Sequence, residues 1–253
     1  MAKNFSAVLL FLSLNYCTII NKDIVIVDNC EAATLSEIRD DVRLQIGDSS
    51  SNASNRRWGP TLLNFRINEI QNNICEKTRC IITRISTPTV SGQREYTYPA
   101  DIVAPIRLAY VISNSSPPAY KALTRYSIAG LDNENASWES SPSGLPTKYY
   151  ERGQKYGLQP IPSSVYASTY ALQIDYYCRA SSLTADGDVP FNGDVLLTPY
   201  HKLLILGTVI WCRSDMGLNS SDLKMEYEYL LESLYNAVRQ RDDKKDWINI
   251  PFK

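Results

Sequence analysis

Side chains able to carry out catalysis are few in this sequence, and histidine is the scarcest of them. Among 253 residues there is one histidine, His201, so any Ser/His/Asp or Cys/His arrangement would be built around it. It begins a strongly apolar segment and has no local partner. Glycine-rich phosphate loops, Gly-x-Ser-x-Gly and His-Glu-x-x-His are absent from the sequence. We therefore predict a structural role for His201 and no enzymatic activity; a hydrolase is the weakest functional hypothesis.

Three aspartates in one loop offer oxygen ligands for a metal ion. Asp186, Asp188 and Asp194 partly resemble a calcium loop. A calcium loop of the EF-hand type needs oxygen ligands at alternate positions and a final glutamate. Here Pro190 occupies one ligand position and the glutamate is missing. We therefore predict a turn-rich polar loop, and no metal or other cofactor.

Cysteine chemistry is equally weak. The six cysteines are scattered without a Cys-x-x-Cys pair, and the closest two, Cys75 and Cys80, stand at the end of a predicted helix. Because free cysteine behaves as a small apolar side chain, we predict buried thiols rather than disulfides. The six are Cys17, Cys30, Cys75, Cys80, Cys178 and Cys212.

Two helices are predicted before the strands begin. Thr34 and Glu37 have capping-box spacing, and Gly47 is placed to end the first helix. Pro60 suits the first turn of the second, which we predict over Thr61–Lys77. The apolar stripes are Leu35, Ile38, Val42 and Ile46 in the first helix, and Leu63, Ile67, Ile70 and Ile74 in the second.

Two further helices are predicted near the C-terminus. Pro199–Arg213 is apolar almost all round, which is typical of a buried helix, and it is too short and interrupted to cross a bilayer. The last helix begins near Asn219–Asp222. Its apolar stripe is Leu223, Tyr227, Leu230, Leu234 and Val238.

The middle of the chain has the alternation typical of strands. In Gly144–Ala180, short apolar runs are separated by turn signals such as Arg152–Lys155. The predicted strands are Ile81–Ile85, Glu95–Tyr98, Ile106–Ile112, Tyr149–Tyr150, Tyr156–Pro160 and Tyr170–Tyr177. Tyrosine is common, with 17 residues, and its amphipathic ring suits both strands and protein interfaces.

The charge balance argues against a protein that holds nucleic acid by its phosphates. Lys and Arg number 26 against 27 Asp and Glu, so the net charge is −1. Proteins that grip nucleic acid through phosphates usually carry a basic excess.

Both ends of the chain are unusual. Lys3 followed by the apolar run Phe5–Cys17 has the outline of a secretory signal, although polar residues interrupt it; an N-terminal strand arm and a wrongly assigned start are the alternatives. Asp242–Lys253 combines a charged lead with an apolar tip. That tip either packs on its own domain or binds a neighbouring protein through aromatic anchors. The candidate binding residues are Trp247, Ile248, Ile250 and Phe252.

Taken in order, these segments resemble the head–tail adaptor (connector or neck) proteins of tailed bacteriophages. Thr34–Asp48 is similar to the family's opening helix with its Ile-Gly-Asp turn, and Trp58–Gln71 is similar to its second helix. Tyr96–Ile102 resembles a Tyr-x-x-Pro-x-Asp strand end. Leu158–Pro162, Leu172–Tyr177 and Pro199–Leu203 resemble later strands and the approach to the buried helix.

The resemblance implies a structural virion protein at the head–tail junction, assembled in the host cytoplasm. Such adaptors form a ring, commonly a dodecamer, beneath the portal protein, extend the DNA channel and dock tail or nozzle proteins. DNA would pass as cargo, and no membrane would be involved. The tyrosines of Gly144–Ala180 become candidates for subunit contact, and the C-terminal tail for docking on the portal.

We therefore expect an α+β fold in which a helical bundle, built from N- and C-terminal helices, carries a central antiparallel β insertion. Residues 34–82 and 199–241 would form the bundle and 83–198 the insertion, flanked by an extension over 1–33 and a tail over 242–253. The rival hypothesis is a secreted or surface-exposed binding module with disulfides, which the signal-like N-terminus and five Asn-x-Ser sequons would suit.

Overall fold

The computed structural model describes residues 32–50, 52, 56–113, 119–167 and 172–245. This part of the chain is α+β, with five α-helices and two four-stranded sheets. Its described residues divide into two compact units. Unit 1 takes the described residues up to Asn68 together with Leu183–Leu230, and unit 2 takes Glu69–Ser182 and the described residues from Leu231.

The helices and strands alternate along the chain in blocks. The α-helices are α1 Leu35–Ile46, α2 Pro60–Thr78, α3 Ile128–Glu134, α4 Lys202–Asp215 and α5 Ser221–Lys245. The strands are β1 Ile82–Thr87, β2 Glu95–Thr97, β3 Ile102–Ser113, β4 Ala119–Ala122, β5 Thr124–Arg125, β6 Lys148–Arg152, β7 Lys155–Gln159 and β8 Leu172–Cys178.

The predicted capping box begins α1. The Thr34 hydroxyl accepts a hydrogen bond from the Glu37 N–H, and the Glu37 carboxylate accepts one from the Thr34 N–H at 2.7 Å. Gly47 ends the helix with a left-handed φ of 71°, which glycine adopts without steric cost. The side chain that follows, Asp48, accepts the N–H groups of Arg57 at 2.9 Å and Trp58 at 3.3 Å. This carboxylate therefore fixes the approach to α2.

The predicted buried helix is α4, and it forms the centre of unit 1. Leu203–Leu206, Thr208, Val209 and Cys212 are all buried. α1 packs along α4, and the 3-10 segment Val195–Tyr200 packs against its start. By length and composition, Val195–Asp215 is the one described segment able to cross a membrane, but 61% of its apolar window is buried inside the protein. Such burial is typical of a core helix.

The prediction of a helical bundle is wrong. Within the described residues, α1 and α4 are the one pair of α-helices with extended mutual packing, and the 3-10 segment Val195–Tyr200 packs against the start of α4. α5 follows its predicted stripe but buries little else: Leu234 and Val238 are buried, whereas Met225, Tyr229 and Tyr235 are exposed. The apolar stripe therefore predicted which side of α5 packs against the protein, but not which segment packs against it.

Two four-stranded sheets make up the β-rich part of unit 2. One has the order β1-β8-β3-β4 and is antiparallel throughout, and the other has the order β2-β7-β6-β5 with only β5 and β6 parallel. β8 alternates as predicted, because Leu172, Ile174, Tyr176 and Cys178 are buried and the residues between them are partly exposed. β3 contains three register shifts, one of which sets Ile106 outside the pairing beside Arg107.

Most tyrosines of Gly144–Ala180 belong to the core, so the prediction that they make subunit contacts is wrong for these residues. The strands β6, β7 and β8 bury them, and hydrogen bonds or ring contacts hold several of them in place. The Tyr150 hydroxyl donates to Glu95 at 3.1 Å, and the Tyr156 ring lies 4.8 Å from that of Tyr98. The buried tyrosines of this stretch are Tyr149, Tyr150, Tyr156 and Tyr176.

His201 lies in the core of unit 1 at the start of α4. It is 4% exposed, and its ring centroid is 5.9 Å from that of Phe191. Neither ring nitrogen has hydrogen-bond geometry with another described group, although the Ala33 backbone lies close enough to favour the charged ring slightly. Burial dominates and lowers the pKa of His201 from 6.5 to about 4. The histidine is therefore neutral and structural at neutral pH.

This burial predicts a specific loss of stability in acid. Above pH 6.5, His201 is neutral in both states; between pH 6.5 and about 4, the unfolded chain binds a proton that the folded protein excludes, so the free energy of unfolding falls as the pH is lowered. We expect the wild type to lose about 2 kcal/mol more than His201→Leu between pH 7 and pH 5. Urea unfolding at both pH values measures this difference. Equal losses in the two proteins would contradict the prediction.

A glycine in β7 makes room for a tyrosine ring. Gly157 is paired with Tyr150 across β6 and β7, and a Cβ atom built on Gly157 would lie 2.1 Å from Tyr150 Cζ. Because Tyr150 is fully buried, its ring has little space into which it could move.

We therefore expect Gly157→Ala to lower the free energy of unfolding by about 1–3 kcal/mol or more through overpacking. Chemical unfolding monitored by circular dichroism measures the loss. Gly144→Ala is the matched control in unit 2, since its Cβ would meet no atom closer than 3.8 Å. The predicted packing would be contradicted if the two variants were equally stable.

Candidate interaction surfaces

The residues considered first for chemistry serve the fold. His201 lies buried in unit 1, away from any hydrogen-bonding acid or nucleophile among the described residues. The predicted polar loop is confirmed: Asp188 accepts the N–H groups of Thr184 at 2.6 Å and Ala185 at 2.8 Å, which lowers the pKa of its carboxyl group. Asp186 accepts from Arg39 at 2.9 Å. Within the ranges that the structure describes, no cluster of three His, Cys, Asp or Glu side chains could hold a metal ion.

The described cysteines are buried, as predicted. Cys75, Cys80, Cys178 and Cys212 all lie in cores. The Sγ atoms of Cys75 and Cys80 are 3.9 Å apart, a thiol contact rather than the roughly 2.05 Å of a disulfide bond. This geometry gives no support to the disulfide-containing rival.

One pocket of about 330 Å³ lies in unit 2 between α3 and the β6–β7 pair. Several of its polar groups make internal contacts, since Glu134 forms an ion pair with Lys148, and Gln159 Nε2 donates to the Trp138 carbonyl at 3.2 Å. These contacts fix α3 on the sheet and are typical of a structural role. The lining residues are Leu131, Glu134, Asn135, Trp138, Thr147, Lys148, Gln159 and Pro160.

The outer surface of α5 within unit 1 combines apolar and acidic side chains. Met225 and Tyr229 are 64% and 72% exposed, and Asp222 and Glu228 beside them are also exposed. At 100° per residue these four fall within one third of the helix circumference, on a side separate from the buried stripe. We call Asp222, Met225, Glu228 and Tyr229 the acidic stripe of α5.

A second exposed surface lies on the β1-β8-β3-β4 sheet in unit 2. Arg84 and Arg107 both stand opposite Asp175 in the register, so all three share one face. Arg84 binds both carboxylate oxygens of Asp175, which leaves Arg107 exposed and without an ion pair among the described residues. Farther along this face, the Arg79 guanidinium lies 5.7 Å from the Tyr177 ring centroid. We call Arg79, Arg84, Ile106, Arg107 and Tyr177 the arginine face.

The net charge of the whole chain hides a separation between the units. Unit 1 has 8 Lys and Arg against 11 Asp and Glu among its described residues, a net charge of −3. Unit 2, counted to Lys245, has 15 Lys and Arg against 12 Asp and Glu, a net charge of +3. The acidic stripe therefore has the same sign of charge as unit 1, and the arginine face has the same sign of charge as unit 2.

The sequence predicted a different binding feature, the C-terminal tail. Trp247, Ile248, Ile250 and Phe252 lie outside the described residues. It missed the acidic stripe, although Met225 and Tyr229 stand off the predicted buried stripe of the last helix and could have been found on a helical wheel. The arginine face had no such signal, because it depends on the pairing of β1, β8 and β3 and on a bulge.

Comparison with known families gives a match over most of the chain. A family model described as SU10 adaptor protein matches residues 33–247, a range that includes every described element from α1 to α5. No curated protein matches this sequence. The family match confirms the adaptor resemblance drawn from the order of helices and strands.

Proposed function

Since the chain belongs to the SU10 adaptor protein family, and is thus a structural protein of bacteriophages, we propose that it is a head–tail adaptor. In this role it forms a ring beneath the portal protein, extends the DNA channel, and docks tail or nozzle proteins. It resides at the neck of the virion and is assembled in the host cytoplasm. The family match over residues 33–247 is the observation that carries the proposal.

The surfaces of the protein support a role in assembly. A long helix that leaves Met225, Tyr229 and Tyr235 exposed has apolar area available for partners. The near-zero net charge of the chain suits a channel through which DNA slides without being held. Two of the residues considered for chemistry have structural roles, since His201 is buried in the core of unit 1 and Asp188 accepts N–H groups of its own loop.

The C-terminal tail is the proposed portal-binding segment. Trp247, Ile248, Ile250 and Phe252 follow a charged stretch, and aromatic residues in such segments act as anchors in pockets of a partner. This assignment rests on the sequence and on the family's role at the portal.

Electron microscopy of the purified full chain, alone and mixed with its portal protein, tests the ring. We expect closed rings, with twelve subunits as the expected number, docked on one end of the portal. A monodisperse monomer in both samples would contradict the adaptor function.

The tail is tested by a double substitution that leaves α5 intact. Trp247→Ala with Phe252→Ala removes both aromatic anchors, and we expect portal affinity to fall at least about tenfold with unfolding unchanged. Asn249→Ala is the control within the same segment. Biolayer interferometry on immobilised portal measures affinity, and portal binding equal to that of the control would rule out the tail as the docking segment.

A further inference from the structure

We propose that the acidic stripe of α5 in one copy of the chain packs on the arginine face of the next copy. The inference rests on the proposed ring function and deepens it by naming the two surfaces that meet. Because the surfaces are different, the contact is heterologous, and repeated contacts of this kind close a ring when the rotation between copies allows it.

The two surfaces complement each other in chemistry. On the stripe, Met225 and Tyr229 offer exposed apolar area, with the carboxylates of Asp222 and Glu228 beside them. Asp222 and Glu228 form no ion pair among the described residues, so their charges are available to a partner. Aromatic side chains and methionine are enriched at protein interfaces.

The arginine face offers the opposite charge around a similar apolar area. Ile106 is 42% exposed beside Arg107, and the Tyr177 ring is accompanied by Arg79. Arginine is enriched at interfaces because its planar guanidinium binds carboxylates through two hydrogen bonds. Arg107 has no such carboxylate within its own described chain, since Arg84 occupies both oxygens of Asp175.

A protein partner fits the arginine face better than nucleic acid does. A carboxylate, Asp175, lies between Arg84 and Arg107 and would repel a phosphate backbone. Ile106 gains by burial against apolar atoms rather than against phosphates. The complementary surface exists on the same chain, in a unit whose net charge is −3 against +3 for the unit that carries the arginine face.

A charge exchange between two variants tests the contact. The first variant carries Asp222→Lys and Glu228→Lys, and the second carries Arg79→Glu and Arg107→Glu, which leaves the Arg84–Asp175 pair in place. Lys155→Glu is the control, because Lys155 is an exposed cation at the start of β7, in the sheet of unit 2 that does not carry the arginine face. Circular dichroism and urea unfolding establish that each variant is folded.

Each reversed variant alone brings like charges together, whereas an equimolar mixture pairs the new lysines with the new glutamates. Sedimentation velocity on full chains, with portal protein present where the wild type needs it, measures assembly. We expect each variant alone to assemble at least about tenfold more weakly than wild type and the control, and the mixture to recover wild-type assembly. Recovery in the mixture cannot come from misfolded variants.

Several results would overturn the proposed contact. Wild-type assembly by either variant alone would exclude it while leaving the adaptor function intact. A mixture that fails to recover would exclude the pairing of these two surfaces. Loss of duplex-DNA binding by the second variant, with normal assembly, would assign the arginine face to nucleic acid. A wild type that never forms rings, even with portal protein, would overturn both the contact and the proposed function.

Discussion

The strongest constraint on this fold is the burial of an apolar helix. α4 has seven buried side chains between Leu203 and Cys212, so most of its circumference has to be covered. α1 covers part of it and the 3-10 segment Val195–Tyr200 another part. The loop before that segment is held to unit 1 by hydrogen bonds between Asn68 and the Leu183 backbone, at 2.7 and 2.9 Å. Polar contacts thus hold the loop that leads into this 3-10 segment.

The same requirement determines how polar groups are used near that helix. A buried polar atom costs free energy unless a partner replaces water. The Thr208 hydroxyl donates to the Leu204 carbonyl at 2.8 Å, and Asp48 receives two N–H groups at the start of α2. His201 has no hydrogen-bond partner for either ring nitrogen among the described residues, and its burial lowers its pKa so that the ring stays neutral. Side chains that looked chemically promising in the sequence are therefore explained by the covering of an apolar core.

Local patterns in the sequence were reliable wherever the physics was local. The Thr34 cap, the Gly47 end, the buried stripe of α5 and the alternation of β8 each depend on residues a few positions apart, and all four are present. The prediction of a helical bundle was wrong because an apolar stripe indicates that one side of a helix is buried. It does not indicate which segment packs against that side. For α4, one such segment is the 3-10 segment Val195–Tyr200, whose sequence carries no periodic signal.

The prediction that the tyrosines make subunit contacts was wrong for a related reason. Composition gives the number of amphipathic rings but not their direction, and direction depends on the register between strands. Tyr150 turns inward because it stands opposite Gly157, whose missing side chain leaves room for the ring. Tyr177 lies on the other face of β8 from Tyr176 and is partly exposed. One residue of register thus separates a core ring from a surface ring.

The net charge of the chain likewise does not show how charge is distributed over its surface. A net charge of −1 argues against electrostatic attraction between nucleic acid and the chain as a whole. It does not imply neutral surfaces, because opposite excesses in the two units cancel in the sum. For a protein that assembles with copies of itself, cancellation within the chain is the expected condition. In the ring that we propose, each acidic stripe would meet the arginine face of the next copy, and attraction between neighbours would require no net charge on either.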